Sequence, residues 1–191
     1  MPPKPRVNRE MILDAAYAIV REQGIEQINA RTIAQRLGCS TQPVLYHFGT
    51  MEEIRREIYR MADDYHSTYL LQGTENLNPA ISIGLNYIRF AAQEKPLFRF
   101  LFQSDSFSGQ SIPEMVESPE LVPFLTVFQE EAELTTEQAK SVFKALLMLV
   151  HGWASLLANN TMEYQEEEII PTLNMAFMGM IGAIHREETQ K

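Results

Sequence analysis

Apolar side chains recur at three- and four-residue steps along nearly all of the 191 residues, and no stretch alternates apolar with polar convincingly. That period belongs to helices, so the fold class expected is all-α. Met11, Ala15 and Ile19, flanked by Ile12, Ala16 and Val20, mark a first helix over 8–23, with Gly24 as a left-handed cap. Asn29 is a good N-cap for a second helix, which carries Ile33, Ala34 and Leu37 and breaks at Gly38. Ser40 is placed to cap a third, barely two turns long, whose Pro43 is tolerated because first-turn donors lack helical partners anyway. Thr50 and Glu53 read as a capping box for a fourth helix with the stripe Ile54, Ile58, Met61 and Tyr65. After the polar "QGTENLNP" (72–79), helices are expected near 79–94, 96–103, 119–133, 136–159 with Thr135 and Gln138 capping its start, and 166–188, the last bent or restarted at Pro171. The aperiodic "QSDSFSGQSIPE" (103–114) reads as a loop.

The length suits one large domain or two small ones with a real core. A single cysteine, Cys39, permits no internal disulfide and fits a reducing compartment. The start "MPPKPRVNRE" lacks a signal-peptide core, and no apolar run is read as approaching membrane-spanning length, so a cytoplasmic location without a membrane partner is expected. The formal charge of −9 is unevenly spread. Residues 1–60 hold nine Lys and Arg against seven Asp and Glu, a net +2, and the remainder holds seven against 18, a net −11. Such asymmetry fits two jobs in one chain, and equally a solubilising acidic surface.

The short third helix is the feature that needs explaining. Two helices joined around Gly38 match a helix-turn-helix, whose second helix needs little length because only its N-terminal turns reach base edges in the major groove. Ser40, Thr41, Gln42 and Pro43 at its tip allow close approach. Gln42 can donate to and accept from an adenine edge, Thr41 and Pro43 can touch a thymine methyl, and Tyr46 and His47 can bond phosphate oxygens. The helix starts near Arg31 and Thr50 are candidate anion sites, and Arg6, Arg9 and Arg31 add positive charge for the DNA backbone.

Residues 9–58 resemble the DNA-binding domain of TetR-type transcriptional regulators, through "REMILDAAYAIVREQG", "INARTIAQRLGCS" and "YHFGTMEEI". The resemblance implies a three-helix DNA-binding domain over 1–51 and a larger helical ligand-binding and dimerisation domain over 52–191. It puts Arg31 and Thr32 at the second helix start, Ser40, Thr41, Gln42, Pro43, Tyr46 and His47 on the reading surface, and Thr50 at the start of the fourth helix. It also implies double-stranded DNA with a palindromic operator as partner, a homodimer through the last two helices, and a small-molecule effector that releases a repressor. The chain departs from the family where Leu45 replaces a usual tyrosine and where Gly49 and Met51 replace frequent lysines. Those departures leave open a helical small-molecule-binding protein without sequence-specific DNA binding.

Ala176, Gly179 and Ala183 permit close helix packing, within the subunit or across a dimer axis. "LMLVHGWASLL" (147–157) is similar to a His-Gly signature in one subgroup of the family. Phe102, Phe107, Phe128, Phe143, His151 and Trp153 form the candidate effector-binding set, with ordinary core as the competing reading of each. Enzymatic chemistry has little to stand on. The four histidines show no metal-ligand spacing, Cys39 has no evident base, and no phosphate-cradling Gly-rich loop is present. No cofactor or metal is expected.

Overall fold

The computed structural model describes residues 7–104, 114 and 116–189. Among them are nine α-helices, and the chain divides into two compact units. Among the described residues, the first unit holds 7–66 and 94–104, and the second holds 67–93, 114 and 116–189.

In the first unit, α1 (Arg9–Gln23), α2 (Ala30–Leu37) and α3 (Thr41–His47) form a tight three-helix group, followed by α4 (Met51–Leu70) as far as His66 and by α6 (Lys95–Phe102); the last turn of α4 belongs to the second unit. Asn8 caps α1 by accepting the Met11 N–H at 2.8 Å. Gly24 ends it at φ +96°, ψ 166°, a positive-φ turn outside the left-handed helical region expected there. Gly38 is left-handed, at φ +64° and ψ 34°. There the Cys39 N–H reaches Ala34 O and the Gly38 N–H reaches Gln35 O, the two bonds of a Schellman stop. Ile12, Ala16, Val20, Ile33, Val44 and Phe48 are fully buried and make the core of the group.

The stripe of α4 drifts from the expected one. Ile54 and Ile58 are buried, but Ala62 and His66 continue the face where Met61 and Tyr65 were expected. His66 meets Phe102 edge-on, with ring centroids 5.0 Å apart. On the opposite flank, Arg21 of α1 donates through Nε to Glu94 Oε2 at 2.9 Å and bonds the other carboxylate oxygen. The Tyr65 hydroxyl donates to the same carboxylate at 3.2 Å. Glu94 thus joins α1 and α4 at the residue that starts α6. Burial pushes the nearby Tyr17 hydroxyl up to about 12.

The second unit is built around α5 (Pro79–Gln93), buried on every side from Ala80 through Ile88. A helix apolar all round belongs at the centre of a domain. Around it pack α7 (Val122–Ala132), α8 (Thr136–Asn159) and α9 (Glu166–Thr189). Thr135 and Gln138 form a reciprocal capping box at the start of α8, as expected. Pro171 lies inside a continuous α9, in its second turn. Asn86, itself buried, donates to Leu70 O and Gln72 O, while Arg89 pairs with Glu166 at 2.8 Å and bonds the Tyr164 hydroxyl. These bonds hold the start of α9 and the end of α4 to the central helix.

By length and composition α8 could cross a membrane, with an 18-residue window of mean hydropathy 1.5, which corrects the expectation that no run was long enough. Its Ala139, Val142, Leu146, Val150, Ala154 and Leu157 are nevertheless buried within this unit, the position of a core helix.

Burial pushes the His66 imidazole down from 6.5 to about 3, so the folded state holds it neutral while an unfolded chain would protonate it. This contribution is whole above pH 6.5 and is lost as pH falls from there toward 3. His66→Phe is expected to flatten the fall of unfolding free energy between pH 6.5 and 5 by up to about 1.4 kcal/mol per pH unit, as read by urea titrations.

Candidate nucleic-acid interface

Helix α3 has one apolar face and a wide polar one. Val44 and Phe48 are fully buried, while Thr41, Gln42, Leu45 and Tyr46 are exposed, Tyr46 by 80% and Leu45 by 54%. At 100° per residue, Gln42 and Tyr46 form the outermost ridge, with Thr41 and Leu45 on one flank and Pro43 and His47 on the other. Pro43 is half-buried.

Ser40 stands at the N-cap in extended backbone but makes no side-chain cap bond, against expectation. The reason is local. A capping serine bonds the N–H of the second or third helical residue, and the third is Pro43, which has none. What holds α3 in place is tertiary. Arg9 of α1 lies over the Phe48 ring, 4.1 Å from its centroid, and donates to His47 O at 3.2 Å and to Glu53 at 2.9 Å. A second carboxylate, Glu57, is 3.4 Å away. Arg9 was expected to supply charge for phosphates. Its guanidinium is instead engaged in bracing α3 against α1 and α4, with partners 38 to 48 residues distant that no local pattern could reveal.

The other assigned residues divide by what their polar atoms already do. Arg31 has an exposed side chain, but its N–H and that of Thr32 both bond Asn29 Oδ1 at 3.0 Å. The start of α2 is therefore self-capped, and its reach for an anion rests on the Arg31 guanidinium rather than on those amides. Thr32 Oγ1 accepts the Asn29 N–H at 3.1 Å and donates toward Gln27 O, completing a capping box. Thr50 Oγ1 accepts the Glu53 N–H at 3.2 Å, while the Glu53 carboxylate accepts the Gly49 N–H, one residue earlier than a reciprocal box requires. His47 is half-buried, with Nε2 3.0 Å from Val7 O, so that nitrogen ties α3 to the chain entering α1. Tyr46 stacks edge-on against the His47 ring at 5.3 Å. Arg36 is paired with Glu22, which raises the guanidinium's proton affinity and lowers that of the carboxylate.

The described residues among the six assigned to an effector have different surroundings. Phe102 belongs to the first unit, beside Phe98 and His66, and Phe107 lies outside the described residues. Phe128 and Phe143 pack edge-on at 5.5 Å in the core of the second unit, with Phe177 and Phe124 as neighbours. Trp153 lines a separate open groove of about 650 Å³, with Met148, Leu149, Leu156, Met162 and Glu163. His151 is half-buried, and its Nδ1 shares a 2.8 Å hydrogen bond with the Tyr87 hydroxyl. Burial lowers the His151 proton affinity and raises that of the Tyr87 hydroxyl, so the pair is neutral at pH 7. Tyr87 was missed by sequence reasoning. Its one signal was a phenol in the middle of a helix with no solvent face, which must find a partner.

Comparison with known proteins follows the same division. Residues 12–58 match the family model for bacterial regulatory proteins of the tetR family. No curated protein matches the sequence. Among solved structures, the chain is similar to a TetR variant from Acinetobacter baumannii AYE in complex with minocycline, at 12% identity and a TM-score of 0.57, with 95% of this chain and 98% of that one covered. It is similar to a TetR family transcriptional regulator from Pseudomonas syringae pv. tomato str. DC3000, at 17% identity and a TM-score of 0.58, covering 92% and 95%. A TetR transcriptional regulator from Rhodococcus sp. RHA1 gives 16% identity and a TM-score of 0.52, covering 93% and 98%. At these identities the likeness is one of fold.

Asn29→Ala removes the acceptor shared by two amides at the start of α2 and is expected to lower unfolding free energy by about 1 kcal/mol in urea titrations. The far-ultraviolet circular dichroism of the folded state should be unchanged.

Proposed function

We propose that this chain, whose residues 12–58 match the family model for bacterial regulatory proteins of the tetR family, is a DNA-binding transcription factor and not an enzyme, and that it acts as a homodimeric, ligand-responsive repressor of a palindromic operator. The observation that carries the reading is the exposed ridge of Gln42 and Tyr46 on a helix whose buried side is fixed by Val44, Phe48 and Arg9. A rigid helix tip with a bidentate amide at its outermost point suits an adenine edge in the major groove. In this reading Thr41, Gln42 and Pro43 face bases, with Ser40 at the tip. Tyr46, His47 and Arg31 face phosphates, and Thr32 and Thr50 orient the helix starts that flank them. Residues 1–51 do the reading, and 52–191 bind effector and partner.

The dimer is assigned to α8 and α9. Met175 and Met178 are 72% and 63% exposed, and with Met148 and Leu156 they give those helices an apolar outer face. The small residues Gly179 and Ala183 are exposed on α9 and allow a second copy to approach closely. A two-fold axis there would set two α3 helices one DNA turn apart, ~34–36 Å. The effector is assigned to the second unit near the Tyr87–His151 pair, where a half-buried neutral hydrogen-bonding couple lies among apolar side chains. The minocycline complex supplies a precedent in this fold for a bound small molecule. Such a molecule acts by binding the DNA-free arrangement more tightly than the DNA-bound one. A cytoplasmic location follows from the same reading.

Affinity for operator should fall linearly on logarithmic axes with rising salt. Gln42→Ala is expected to weaken operator binding by about 1–3 kcal/mol while leaving random duplex unchanged, and equal loss on both would remove its base-reading role. Met178→Glu should shift sedimentation from dimer to monomer and abolish operator binding at concentrations where the parent is saturated. A protein that stays dimeric would place the interface elsewhere.

A further inference from the structure

Leu45 is the exposed aliphatic side chain of α3, where Pro43 on the other flank is half-buried. It is 54% exposed, it lies one turn beyond Thr41 on the same flank, and it stands 60° around the helix from Gln42. Side chains on a helix lean toward its N-terminus, so the isobutyl group covers the turn that carries Thr41 and Gln42. A branched aliphatic group can neither bond a phosphate nor accept from a base amino group. The major groove offers it one complementary surface, the 5-methyl group of a thymine.

We propose that Leu45 is a specificity-determining residue of the reading helix, packing on the 5-methyl group of a thymine next to the base pair addressed by Gln42. This rests on the DNA-reading function proposed above. It deepens that reading by assigning one operator position to apolar readout. Gln42 favours adenine at its own position, so the half-site is expected to contain an adenine beside this thymine, within one turn of Leu45's reach. Exposure of Leu45 in the free protein has a direct consequence. The cost of leaving it in water is recovered only on DNA that carries the methyl group, and cytosine or uracil at that position offers nothing in exchange.

The test uses the full-length dimer and duplexes selected from a random pool. Each thymine of the selected half-site is replaced in turn by deoxyuridine, which pairs identically and lacks only the methyl group. One such replacement is expected to weaken the parent protein about fourfold, the value of burying one methyl group. The same replacement should leave Leu45→Ala unaffected, and Leu45→Met should restore the penalty. Thr41→Ser, which removes the neighbouring methyl, should keep it. Indifference of the parent to every deoxyuridine, or a penalty that persists in Leu45→Ala, overturns the assignment while leaving Gln42 and DNA reading intact. Failure of the pool to enrich any duplex overturns DNA reading itself, and this proposal with it.

Discussion

Helix α3 stays in place because Arg9 holds it. A seven-residue helix buries only one turn of apolar surface and cannot hold its own geometry in water. Its own N-cap makes no side-chain bond, and Pro43 removes one of the two donors open to Ser40. Stability therefore comes from outside. Phe48 lies beneath the guanidinium of Arg9, and that same group bonds the last carbonyl of the helix and the carboxylate of Glu53. Three helices meet on one planar cation, a role that the five-donor fork of arginine fills and the point charge of lysine does not. Every functional assignment to Thr41, Gln42, Leu45 and Tyr46 presumes that this clamp has fixed their directions.

Local signals were legible in the sequence because they depend on a few neighbouring residues. The caps at Asn29 and Thr135 and the stop at Gly38 all lie within one helical turn of the pattern that announced them. Signals that arise from distance in the chain were not. Arg9 read as a cation for DNA because its partners are contributed by α3 and α4. Met61 and Tyr65 were expected inside because a four-residue step was changed to three after Ile58, where the structure keeps steps of four through Ala62 and His66. The aromatic residues of the second half show the limit most clearly. Phenylalanines that fill a core and phenylalanines that line a cavity have the same spacing, and the packing of Phe128 on Phe143 emerges only when α7 and α8 are placed together.

The two units solve different problems. The first presents a small, stiff surface and spends its polar groups on fixing helix ends and helix pairs, with Arg21 and Glu94 joining α1 to the start of α6. The second surrounds one wholly buried helix, α5, and stitches it to its neighbours through Asn86, Tyr87 and Arg89. Its outer helices keep large Met side chains in solvent. A flexible thioether fills an irregular gap at little conformational cost, so such a face suits association better than a surface of lysines would.

The clamp on α3 is itself ionic and lies at the protein's edge, with Arg9 and Glu53 each more than a third open to solvent. Dissolved ions therefore act at two places at once. They compete with the protein for the polyanion, and they screen the contact that keeps the recognition element rigid. The count of neutralised phosphates inferred from an ionic-strength series would then exceed the number of cations that touch the duplex. The surplus would measure how far the protein softens as the medium is made more conducting.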